Sequence, residues 1–123
     1  MAKLKILSVD DCKSTHAFLR ECLPSDTHSV ECVFNGQEAI VKLKQNPNSF
    51  DVILLDWEMP IKDGPSTFNE LRGMGVKTPV VMLTSKNNPT EILQMIEAGV
   101  SEYMMKPFTS DILIEKIQQV LSE

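Results

Sequence analysis

The chain has 123 residues, 42% hydrophobic and 24% charged, enough apolar material for one compact domain with a real core. Its formal net charge of -5 supplies no electrostatic footprint for a nucleic-acid backbone or an anionic membrane, so direct DNA binding is not expected. No apolar run approaches the ~20 residues that cross a bilayer, and Asp10 and Asp11 cut the first one short of a signal-peptide core, so a cytoplasmic protein is expected. Cys12, Cys22 and Cys32 are an odd number without metal-type spacing and read as reduced packing residues.

Leu4 to Val9 reads as a buried strand that Asp10-Asp11 terminates. From Lys13 the spacing of Thr15, Phe18, Leu19, Cys22 and Leu23 predicts one face of a helix that ends at Pro24. His28 to Val33 is rich in β-branched residues and predicts a second strand; Asn35-Gly36 breaks it, and Ala39, Ile40 and Leu43 define a second helical face. His16 and His28 are expected at the surface. After Pro47 and Asn48 comes Phe50 to Asp56, whose centre, Val52 to Leu55, is the unbroken apolar run of a strand buried on both faces. Pro60 soon forbids further ladder pairing, which leaves the Asp56 carboxylate at the strand's carboxyl end.

Asp63-Gly64-Pro65 then offers a turn and a first-turn proline for a third helix with Phe68 and Leu71 inward. Pro79 to Leu83 predicts a fourth strand, followed by Thr84-Ser85, and Asn88-Pro89 caps a fourth helix over Thr90 to Ala98, ended by Gly99. Leu93 and Ile96 supply an inward face there, leaving Ile92 and Met95, with Ile114 beyond, as surplus apolar groups for a partner or dimer patch near Tyr103. Tyr103 to Met105 is a fifth strand and Ser110 to Leu121 a last helix on Leu113, Ile117, Val120 and Leu121. All seven prolines fall at junctions or in first turns, so none contradicts a strand.

Strict alternation of five strands and five helices calls for an α/β fold: a five-stranded parallel sheet with helices on both faces and right-handed crossovers, one domain over residues 1–123. Parallel strands deliver their carboxyl ends to one edge, which gathers Asp10, Asp11, Asp56, Thr84 and Lys106. In a 2-1-3-4-5 order the three carboxylates surround the switch point of the sheet, where ligands bind. Such a cluster must raise one pKa or hold a cation, and an all-oxygen set suits Mg²⁺. A carboxylate is also a nucleophile toward phosphorus, and Mg²⁺, Lys106 and Thr84 would balance the charge of a transferring phosphoryl group.

Asp10-Asp11, Leu54-Leu55-Asp56 with Met59-Pro60, Asp63-Gly64, Thr84-Ser85, Ala98-Gly99 and Tyr103-x-x-Lys106-Pro107-Phe108 appear in order and span nearly the whole chain. In these motifs the sequence resembles a receiver domain of the two-component response regulators, particularly the single-domain chemotaxis type, with its doubly wound flavodoxin-like (βα)5 three-layer sandwich. The resemblance implies that Asp56 accepts phosphate from a histidine kinase or phosphotransfer protein. It implies direct Mg²⁺ binding by Asp11, Asp56 and the backbone carbonyl of Glu58, with Asp10 acting largely through metal-bound water. Thr84 and Lys106 would hold the phosphoryl oxygens, Tyr103 would be the aromatic switch, and Lys106-Pro107 would carry a cis peptide. Output to a downstream protein would pass through the fourth helix, fifth strand and fifth helix, from a monomer or a weak phosphorylation-dependent dimer.

Ser85 stands where the family often has alanine and is still small. Glu58 and Lys86, two places after Asp56 and Thr84, flank the path of attacking water in this family, and their opposite charges are expected to pair and set the lifetime of the phosphorylated state. Trp57, beside the acceptor, is expected to report ligand binding by fluorescence. The domain would assist its own phosphorylation and dephosphorylation without being an enzyme toward a separate substrate. A small aspartyl-phosphate phosphatase would need a cap for which 123 residues leave no room. A flavodoxin-like binding module would meet repulsion between acidic strand ends and a flavin phosphate. A receiver cut from a larger regulator or hybrid kinase would carry the same motifs.

Overall fold

The computed structural model describes residues 3–85 and 88–122. Five strands and five helices alternate: β1 (Leu4–Val9), α1 (Lys13–Cys22), β2 (His28–Val33), α2 (Gly36–Gln45), β3 (Val52–Asp56), α3 (Gly64–Gly73), β4 (Val80–Thr84), α4 (Pro89–Ala98), β5 (Glu102–Met105) and α5 (Ser110–Leu121). The strands form one parallel sheet in the order β2-β1-β3-β4-β5. Every residue of β3 and β4 is buried, as their unbroken apolar runs predict for central strands.

Period-2 alternation along the strands divides the core into two layers. Ile53 and Leu55 join Leu7, Ile40, Leu43, Phe68, Leu71 and Met82 beneath α2 and α3, where Trp57 and Met95 also lie. Val52 and Leu54 join Ile6, Leu19, Val81, Leu113 and Ile117 beneath α1 and α5. Helix starts follow from their caps. The side chains of Asn35, Asp63, Asn88 and Thr109 accept from backbone N–H groups of Glu38, Ser66, Thr90 and Ile112, and Gly99 closes α4 in the left-handed region at φ 112°.

β4 is shifted one residue from the Pro79 to Leu83 expectation. Pro79 contributes a carbonyl, which accepts from the Ile53 N–H, but has no N–H of its own; at the far end Thr84 is held by the Lys106 N–H donating to its carbonyl. Two helical faces also differ. On α4 it is Met95 that is buried, at 8% exposure, while Leu93 at 56% and Ile96 at 38% face outward. Two apolar stripes run along this helix, and the edge strand β5, only four residues long, offers a surface for one of them. On α1 Phe18 is exposed, leaning on Phe108 with ring centroids 5.4 Å apart, and the stripe below it is His16, Leu19 and Leu23. His16, expected at the surface, is 3% exposed; His28 is half-buried.

Candidate functional site

The site stands at the carboxyl edge between β1 and β3, where the sheet order reverses. Asp10 ends β1 and is 2% exposed; Asp56 ends β3 and is 7% exposed; Asp11, one residue further into the loop, is exposed. Each of the three offers a carboxylate oxygen within 4.8 Å of the other two. Lys106, just past β5, reaches back across the edge. Its Nζ donates to Asp10 Oδ2 at 2.8 Å and lies 3.0 Å from Asp56 Oδ1. The Lys106–Pro107 peptide is cis.

Backbone contacts hold the carboxyl end of β3. The Trp57 N–H donates to the Leu83 carbonyl, and the Gly64 N–H donates to the Trp57 carbonyl at 2.8 Å, drawing the start of α3 against β3. Gly64 is required there by space. A Cβ would lie 2.5 Å from the Asp56 carbonyl oxygen and 2.9 Å from Trp57 Cα.

Burial raises the Asp56 carboxyl from 3.8 to about 6; the Lys106 hydrogen bond opposes this, and repulsion from Asp10 and Asp11 adds to it. Burial by itself would lower the Lys106 ammonium, but its hydrogen bonds to Asp10 and Asp56 prevail and raise it. Among the described residues, Asp10 and Asp56 thus share the Lys106 ammonium with Asp11 close by, and the excess negative charge is a place for a cation. An all-oxygen donor set partly open to solvent fits a hard divalent ion such as Mg²⁺, which retains several waters.

Thr84 is buried at the end of β4, on the same edge. Tyr103 is not among the acids: it pairs in register with Met82, packs half-buried against the α2 and α3 layer, and has Lys116 Nζ 5.7 Å from its ring centroid. It lines an apolar groove with Pro89, Ile92, Leu93, Ile96 and Met105. Glu58 is exposed, and Lys86 lies outside the described residues, as does the expected pairing of the two. Trp57 is buried at 9% exposure in the α2 and α3 layer, and so does more than cover the sheet edge.

One participant escaped sequence reasoning. His16 donates or accepts at both ring nitrogens, Nε2 standing 2.8 Å from the Asp10 carbonyl and Nδ1 2.9 Å from Ser8 Oγ. Its spacing to Leu19 and Leu23, three and seven residues on, was the signal of an inward position.

A doubly wound parallel sheet with acids and a lysine at its switch point defines the class of chemotaxis-regulator-like α/β signalling domains. The chain belongs to the response regulator receiver domain family, whose model matches residues 6–118. Receiver domains are signalling switches of two-component systems, interacting with histidine kinases and downstream effectors. The chain is 35% identical over 117 residues to the transcriptional regulatory protein CpxR of Klebsiella pneumoniae, covering 95% of this chain and 49% of the relative. It is 36% identical over 118 residues to the transcriptional regulatory protein ResD of Bacillus subtilis, covering 95% and 48%. It spans about half the length of these curated relatives. Among solved structures, the chemotaxis protein CheY4 of Vibrio cholerae matches with a TM-score of 0.87 at 30% identity, over 98% of this chain and 100% of that one. The receiver domain of the Francisella response regulator 1452 matches with a TM-score of 0.87 at 30% identity, over 98% of each. No helix among the described residues is long and apolar enough to cross a membrane.

Proposed function

We propose that residues 1–123 act as one phosphorylation-driven switch in which Asp56 takes a phosphoryl group from a histidine kinase or phosphotransfer protein. The observation that carries this is the convergence of three carboxylates within 4.8 Å with an ammonium 3.0 Å from Asp56. With its carboxyl at about 6, Asp56 is mostly ionised at neutral pH. One of its oxygens attacks phosphorus as the bond from phosphorus to the donor's nitrogen or acyl oxygen breaks, and the electron pair leaves with the donor. Lys106 holds a phosphoryl oxygen after exchanging part of its bond to Asp56, and the Thr84 hydroxyl donates to another. Asp11, Asp56 and the Glu58 carbonyl would hold Mg²⁺ directly and Asp10 would hold it through water; when bound, the ion supplies the positive charge that the phosphoryl oxygens need.

Glu58, with Lys86, tunes the access of water that ends the signal. Thr84 and Tyr103 carry the change outward to the surface of α4, β5 and α5, which meets a downstream protein or a second copy of the chain. The domain catalyses its own dephosphorylation and turns over no separate substrate, and it works in the cytoplasm.

Incubation with a small acyl phosphate and MgCl₂, read by intact mass, tests this. The wild-type chain is expected to gain one phosphoryl group and Asp56→Asn none. Equal labelling of both, or of neither, would overturn the assignment.

A further inference from the structure

Asp10 is fixed at every polar atom. Its N–H donates to the Val33 carbonyl at 3.2 Å, Oδ1 accepts from the Cys12 N–H at 2.9 Å, and Oδ2 accepts from Lys106. The remaining atom, its carbonyl oxygen, is held by His16 Nε2 at 2.8 Å. That oxygen belongs to the same planar unit as the Asp11 nitrogen, so its direction sets the plane from which the Asp11 side chain departs. Asp11 is the exposed member of the acidic triad and lacks the burial that confines the other two.

The ring that holds this plane is itself fixed. A carbonyl only accepts, so Nε2 carries the hydrogen toward it, and on the other side of the ring Nδ1 is hydrogen-bonded to the Ser8 hydroxyl at 2.9 Å. Phe34 meets the ring edge to face, with centroids 5.0 Å apart. The imidazole is buried, spans the end of β1 from Ser8 to Asp10, and brings with it the first turns of α1.

The geometry points to His16 as a positioning residue of the cation site: its Nε2–H locks the Asp10–Asp11 peptide in the orientation that turns the Asp11 carboxylate toward Asp10 and Asp56. This rests on the cation reading above. A ring serving only to fill the core would need no hydrogen bond at this carbonyl, and three variants separate the two roles. His16→Leu keeps apolar volume and removes both bonds. His16→Gln places an amide N–H where Nε2 stands, and His16→Asn places one where Nδ1 stands, facing Ser8 and not Asp10.

Mg²⁺ titration by calorimetry and by Trp57 fluorescence, alongside thermal melts of each variant, is the test. His16→Leu and His16→Asn are expected to weaken Mg²⁺ binding about 10-fold, the usual effect of losing a group that orients a ligand, while His16→Gln restores most of the affinity. Affinity unchanged in His16→Leu, or Gln and Asn variants falling together in step with their melting temperatures, would overturn the positioning role. Should His16→Leu not fold, the Gln and Asn pair decides alone. Absence of saturable Mg²⁺ binding in the wild-type chain would instead overturn the cation reading itself, and this inference with it.

Discussion

At the scale of single residues, Asp56 is destabilised by the place it occupies. A carboxyl raised from 3.8 to about 6 favours its neutral form in the fold. Below about pH 3.8 both folded and unfolded chains hold the proton and nothing is lost. Between there and about pH 6 the unfolded chain ionises first, so the contribution of Asp56 to stability falls as pH rises, and above about pH 6 the full cost stands. Discounted for screening from the solvent-exposed mouth of the site at Asp11, that cost is about 1–2 kcal/mol. Asp56→Asn is therefore expected to be more stable than wild type by about that amount at pH 7 without divalent ions, with the gap closing toward pH 4. Urea denaturation at the two pH values checks it, and a variant no more stable at pH 7 would contradict the burial of a strained acid. The acid itself was legible because it ends an apolar run. His16 carried only the weaker signal of its spacing to Leu19 and Leu23, which a polar side chain masks, and its partners, Ser8 and the Asp10 carbonyl, are brought to it by the fold alone.

Among elements, the strands and helices were legible almost to the residue, since prolines, Asn and Asp caps and glycines punctuate each apolar run. The facing of helices was less so. Ile92 and Met95 on one side of α4 and Leu93 and Ile96 on the other are equivalent in spacing, and only the reach of the sheet beneath decides between them. Where α3 starts, the constraint is steric and local. The Cβ of Gly64→Ala would press on the backbone of Asp56 and Trp57, which cannot rotate away as a side chain can. A loss of about 2–3 kcal/mol is expected by denaturant melt, together with slower acyl-phosphate labelling as the end of β3 moves. Labelling at the wild-type rate would show that the proposed reaction at Asp56 tolerates displacement of the strand end.

For the molecule as a whole, the acidic edge and the apolar groove of α4 and β5 are separate surfaces joined through β4 and β5. Leu93 and Ile96 are exposed, so replacing both with Glu should leave the melt nearly unchanged, within about 0.5 kcal/mol per site, and leave labelling intact. If the output surface proposed above meets a second copy, the same double variant is expected to stay monomeric in sedimentation under acyl-phosphate conditions that dimerise the wild-type chain. Persistence of a dimer there would move the contact to another face.

The bond from Lys106 to Asp10 joins positions 96 residues apart. The acids arrive with the first and third strands and their ammonium only with the fifth, so a chain still emerging during synthesis, or one with β5 peeled from the edge, holds uncompensated carboxylates and no finished pocket. On the function proposed above, a copy in that condition lacks the ammonium that would meet a phosphoryl oxygen, so the finished site depends on completed folding.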